Sequence, residues 1–217
     1  MIRSVRPTRL MLVALCVAAS ITSPAVTAGS SSHAKLPVEV YNLAQLSPRN
    51  VRLSTDEAAR LMREAGVELE WQFPTEETLP TRILNIGAPS PWELPENGRP
   101  VIVRIVRIAP HDYPSALGYA LPATPEWVYA AVFDDRIEAV HYRNRVPYAA
   151  LLGCAIAHEI GHLLLQTPEH SVRGLMKAQW DRHDLLDAAC GRLTFNPEEQ
   201  PRISRAVLRR LTPRRGS

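Results

Sequence analysis

The sequence predicts an α/β (α+β) domain, on three observations. Val38-Glu-Val-Tyr-Asn-Leu43, a helical stretch and Val67-Glu-Leu-Glu-Trp71 follow one another as strand, helix and strand. That order suits a crossover between parallel strands. Further β-branched runs at Val101–Ile108 and Trp127–Phe133 supply more strands. Between Pro147 and Leu165 the chain is apolar nearly all round, which predicts a buried helix.

The first 28 residues read as a secretory signal. Arg3, Arg6 and Arg9 form a basic start, Leu10 to Ile21 a short apolar core, and Val26-Thr27-Ala28 a small-residue cleavage site. Roughly twelve apolar residues are too few for a bilayer, which needs about twenty. Leu15 precedes Cys16 where a lipid-attachment signal wants a small residue. The expectation is a secreted or periplasmic protein with no membrane association after cleavage. Residues 29–36 read as a linker, 37–212 as one domain and 213–217 as a disordered tail. The formal charge of +3 comes from 25 basic and 22 acidic residues. Without the three signal arginines the balance is 22 against 22. Net charge therefore gives no reason to propose a nucleic-acid partner.

Within the domain, Ser54-Thr-Asp-Glu57 reads as a capping box opening a helix that Gly66 stops. Residues 74–100 are proline-rich loop with a strand at Thr81–Ile86. Ala116–Leu121, bounded by Pro114 and Pro122, suits an edge strand. Asp134 and Asp135 could cap a short helix through Val140. Leu185–Ala189 reads as another short helix. Asn196-Pro197, with Glu198 and Glu199, opens a last helix that runs to about Leu211. Its arginines, Arg202, Arg205, Arg209 and Arg210, read with Arg214 and Arg215 as a solvated face and tail. Of the two cysteines beyond the signal, Cys154 and Cys190 could form one disulfide; ordinary packing of Cys154 is the alternative.

The chemistry sits in His158-Glu159-Ile160-Gly161-His162. Residues four apart share a helix face with Cβ atoms about 5–6 Å apart, so His158 and His162 can point at one ion. Glu159 is turned from that pair yet stays near enough to take a proton from an activated water. A zinc site of this kind needs a third protein ligand and an open position. Pro168 ends the helix, so a short return can carry His170 back over His162. Asp181, His183, Asp184 and Glu198 are the rivals. His111 and His141 read as surface or core histidines. Met176, in the tight Gly174-Leu175-Met176 unit, follows.

In these residues the sequence resembles the metzincin zinc peptidases, of the small secreted bacterial type. The resemblance implies one zinc ion on His158, His162 and His170, Glu159 as general base, and Met176 in a turn beneath the metal. It also implies a twisted mixed sheet whose edge strand, at Gly118 and Tyr119, aligns a peptide substrate, with the long zinc helix packed behind. The departures are Leu165 where the family has glycine, seven residues between His162 and His170 in place of five, and no tyrosine close after Met176. The function expected is a secreted, monomeric zinc endopeptidase acting on a peptide or protein. The alternatives are a zinc-stabilised binding domain without turnover and a zinc hydrolase of a non-peptide bond.

Overall fold

Strand alternation and helix caps decide where each element lies in the computed structural model, which describes residues 33–74, 100–111, 115–121 and 129–211. The expected signal, the Thr81–Ile86 strand and the 213–217 tail lie outside the described residues. β1 (Ala34–Asn42) buries Ala34, Leu36, Val38 and Val40 on one face. It starts earlier than the expected Val38, and the linker is shorter than 29–36. The cause is burial: Ala34 and Leu36 lie in register with Val67 and Leu69 of β2 (Val67–Gln72). Pro37 is tolerated because the pairing of β1 with β3 begins only at Val38.

α1 (Pro48–Glu64) joins β1 to β2 and opens before the Ser54 capping box. Ser47 caps it, its Oγ accepting from Asn50 N at 3.2 Å, with Pro48 in the first turn. Ser54 and Thr55 are buried in mid-helix, and Thr55 donates back to Val51 O. Gly66, at φ +79°, turns the chain into β2 as expected.

β3 (Val101–Val106), β4 (Gly118–Ala120) and β5 (Tyr129–Phe133) complete a sheet of order β2-β1-β3-β5-β4. All pairs are parallel except β4 with β5. The sheet is mixed, and among the described residues β2 and β4 are its edges. β3 ends two residues before the expected Ile108, where the backbone N–H of Ala109 turns to Asp135 Oδ1 at 3.1 Å.

α2 (Asp134–Asn144) follows β5 directly and runs four residues past the expected Val140. Phe133 occupies its cap position without a side-chain hydrogen bond, so Asp134 and Asp135 are first-turn residues and not caps. Asp134 is fully buried and accepts from Tyr148 Oη at 2.6 Å, with Arg107 Nη1 at 3.2 Å. α3 (Tyr148–Leu165) is the expected buried helix. It is long and apolar enough to cross a membrane, yet 78% of it is buried inside the protein, as a core helix is. α4 (Arg182–Ala189) starts at the Asp181–Asp184 capping box. α5 (Gln200–Leu211) begins after a turn at 197–199 and not at Pro197, and it buries Ile203, Ala206 and Val207.

α1, α3 and α5 share one hydrophobic core with the inward residues of β1, β2 and β3, Val38, Val101, Val103 and Ile105 among them. A smaller cluster of Ala109, Ala131 and Phe133 holds Tyr119 and Tyr129 apart from it. Both cysteines are free thiols: Cys154 is buried on α3 while Cys190 is exposed at the end of α4. Of the two alternatives, the structure shows ordinary packing of Cys154 and no Cys154–Cys190 disulfide. Burial pushes the Cys154 thiol up to about 12.

Candidate metal centre

α3 carries His158, Glu159 and His162 in a stretch that is buried throughout. Burying imidazoles is costly unless their nitrogens are engaged. Each gives its Nδ1 to a backbone carbonyl: His158 donates to Leu175 O at 2.7 Å and His162 to Thr167 O at 2.8 Å. That choice leaves both Nε2 atoms as lone-pair acceptors, and they face one another 3.0 Å apart. Two lone pairs so close repel unless something positive lies between them. A proton is a poor candidate, because burial, and then the neighbouring His162, press His158 down to about 3. Burial lowers His162 as well.

His170 completes the cluster. The helix ends at Leu165, and Gln166 takes the left-handed conformation at φ 54°. The chain then returns so that the His170 ring lies 5.5 Å from that of His158 and 4.8 Å from that of His162, between centroids. One ligand atom from each of the three histidines lies within 4.8 Å of the others. Two buried imidazoles held through Nδ1, with a third from a loop, make the nitrogen donor set that suits a borderline-soft divalent metal. Nitrogens bound to one ion at about 2.0–2.1 Å lie at most about 4 Å apart, which the 3.0 Å pair satisfies.

The rival residues are occupied elsewhere. Asp181 and Asp184 both accept from Lys177 Nζ at 2.6 Å and cap α4. Glu198, His183 and His111 are exposed, and none joins the three-histidine group. His141 pairs its Nδ1 with Val146 O at 2.6 Å.

Glu159 is 5% exposed, and among the described residues no hydrogen bond or ion pair engages its carboxylate. Burial raises it to about 8. Its neighbour is the edge strand: a Cβ built on Gly118 would stand 2.8 Å from Glu159 Oε1 and 2.5 Å from Ala131 O. Gly118 is thus where strand β4 passes over the carboxylate. Tyr119 differs from its expected role, since its side chain packs with Tyr129 and Phe133 at ring distances of 5.8 and 5.9 Å. Alternation sends the Tyr119 side chain to the face away from Gly118, and its backbone groups face Ala131 of β5.

Met176 is buried and packs against α3 at Gly161, where a Cβ would lie 2.6 Å from its Sδ. Three residues have roles that the sequence motif did not assign. Gly161 admits Met176, Leu175 supplies the carbonyl for His158, and Trp180 donates Nε1 to that same carbonyl at 3.1 Å. Trp180 also sets its ring edge-on to His158, 6.0 Å between centroids.

An edge-stranded mixed sheet over a helix that presents two imidazoles and a carboxylate defines a candidate metalloprotein. No protein-family model matches the sequence, and no curated protein matches it. Among solved structures, the chain is similar to archaemetzincin from Methanopyrus kandleri, at 12% identity and a TM-score of 0.50, over 84% of this chain and 99% of that one. A zinc-dependent peptidase from Methanocorpusculum labreanum matches at 16% identity, over 76% and 99% of the two chains, with a TM-score of 0.48. Metalloproteinase-II from Bacteroides fragilis matches at 13%, over 81% of this chain and 54% of its own, with a TM-score of 0.47. The archaemetzincin comparison shows a shared fold.

Proposed function

We propose that this chain is an exported zinc-dependent endopeptidase in which Glu159 is the general base. The observation that carries the reading is the pair of Nε2 atoms 3.0 Å apart, both Nδ1 atoms committed to carbonyls, beside a buried carboxylate with no partner among the described residues. Zinc bound by His158, His162 and His170 would supply Lewis-acid polarisation of a water and of a carbonyl. Glu159 must be ionised to act. Burial alone opposes that, and a positive charge at the neighbouring histidines restores it. The carboxylate then accepts the proton of the attacking water and passes it to the leaving amine.

The edge strand gives the substrate its direction. In the antiparallel β4–β5 ladder, Leu117 and Leu121 hydrogen-bond with Phe133 and Tyr129. Alternation then points the N–H and C=O groups of Gly118 and Ala120 away from β5. Both groups are free among the described residues to pair with an extended peptide beside Glu159. The likeness in fold to archaemetzincin and the basic, apolar character of residues 1–28 support the activity and the export, respectively.

Metal analysis of purified residues 29–217, run beside a cleavage assay on an unfolded protein substrate, tests the reading. About one zinc per chain is expected, and His158→Ala should abolish it. Glu159→Gln should keep the zinc and lose about 10²–10⁴-fold in rate. Full zinc in His158→Ala, or equal cleavage by Glu159→Gln, would overturn the assignment.

A further inference from the structure

The three histidines are not held alike. His158 and His162 sit on a packed helix with their Nδ1 atoms anchored. His170 comes from the segment after α3, it is exposed, and among the described residues no hydrogen bond engages its side chain. Its place is therefore set by its backbone neighbours. The next residue, Ser171, is fixed twice. Its N–H donates to Met176 O at 2.8 Å, and its hydroxyl donates to Glu199 Oε1 in a short hydrogen bond.

Glu199 is an unusual residue for a surface turn. It is 4% exposed, with no cation paired to it among the described residues. Its charge is met by donors alone: the Ser171 hydroxyl, Asn196 N at 2.8 Å and Asn196 Nδ2 at 3.4 Å. Asn196 extends the same contact, giving its Nδ2 to Arg173 O at 2.9 Å. One residue pair further, Leu175 N donates to Thr194 O at 2.8 Å. Residues 194–199, just before α5, thus latch the 171–176 loop along its length. His170 adjoins one end of that loop, and the Leu175 carbonyl, acceptor for His158 Nδ1, lies near the other.

We propose that Glu199 is a positioning residue for the metal centre, acting through Ser171 to fix His170 and through the latched loop to fix the acceptor of His158. The proposal rests on the three-histidine metal reading. Burying a carboxylate carries a solvation cost that a loop needing mere closure could avoid with an apolar contact. What a carboxylate adds is several hydrogen bonds converging on one point. Such partners, a step removed from the ligands, typically govern metal affinity by about 10–100-fold.

The test is zinc affinity, measured by competition with a chromophoric chelator, on the wild type and on Ser171→Ala, Ser171→Thr, Glu199→Gln and Glu199→Ala. The visible spectrum of each cobalt-loaded protein and its melting temperature in chelator are recorded alongside. Ser171→Ala and Glu199→Gln should bind zinc about 10–100-fold more weakly and change the cobalt bands. Ser171→Thr, which keeps the hydroxyl, should stay within about threefold of wild type. If Glu199→Ala fails to fold, Ser171→Ala still decides, because it removes a single hydroxyl. Wild-type zinc affinity and cobalt bands in Ser171→Ala and Glu199→Gln, even with lowered melting temperatures, would overturn the proposal while leaving the metal reading intact. A wild type that takes up no metal would overturn both.

Discussion

Gly118 carries a hydrogen where any other residue would drive a methyl group against the carboxylate of Glu159. The nearest atoms to that missing Cβ are Ala131 O at 2.5 Å and Glu159 Oε1 at 2.8 Å, one backbone and one the proposed base. Neither contact is tolerable, so in Gly118→Ala the strand or the carboxylate must move. Gly118→Ala should keep its zinc, lose about 1–3 kcal/mol of stability and fall about 100-fold in kcat/KM, because a base misplaced by about 1 Å costs that much. Unchanged turnover with a full complement of metal would remove Glu159 from the chemistry or the strand from its place above it. At this scale the sequence was partly legible. The histidine spacing and the proline after the helix were enough to bring three imidazoles together. Tyr119 could have been placed too, since neighbours in a strand face opposite ways and only one of Gly118 and Tyr119 can look toward α3. Glu199 could not. Its role depends on Ser171, 28 residues away in sequence, and no local pattern marks a carboxylate as buried.

Among the elements, α3 ends on a residue ill suited to the turn it makes. Gln166 sits at φ 54°, and its N–H closes on His162 O. A side chain in the left-handed region costs roughly 1–2 kcal/mol, part of which glycine returns as chain entropy in the unfolded state. Gln166→Gly should therefore raise stability by up to about 1 kcal/mol in denaturant unfolding, with zinc content unchanged. A loss of stability would show that the Gln166 side chain holds the turn. The left-handed residue lies one position beyond Leu165, where the resemblance leads one to expect glycine, and the longer return to His170 starts from there. Helix starts were the harder reading. Two serines, Ser47 and Ser54, both precede apolar residues at helical spacing, and the capping box at Ser54 was the stronger local signal. Proline at the first helical position decides for Ser47, and the close approach of α1 to α3 at Gly153 explains why a polar Ser54 is buried.

For the whole molecule, the metal-free chain should carry a pH signature set by its buried site. His158 is pressed from 6.5 to about 3, and His162 is lowered too, both first by burial. A histidine kept neutral in the fold gives stability that is present above 6.5 and lost as pH falls below it, because only the unfolded chain takes the proton. Glu159 is displaced the other way, from 4.5 to about 8, again by burial. Its contribution is present below 4.5 and is lost as pH rises toward 8, because only the unfolded chain releases the proton. Below 6.5 the two histidines oppose the one carboxylate. Above 6.5 the carboxylate acts alone and stability falls. The chelator-treated protein should therefore lose stability as pH rises from 6.5 toward 8. Zinc should change the shape of the curve, because it favours an ionised Glu159, which the alkaline side supplies, while His158 is neutral in the fold across this range. At a free zinc concentration about a thousand times its Kd the gain is about 4 kcal/mol. The rise in melting temperature on adding zinc should accordingly be larger at pH 8 than at pH 5.5, read by differential scanning calorimetry across that range with and without chelator. Parallel curves, offset equally at every pH, would mean that Glu159 does not titrate in the way its burial requires.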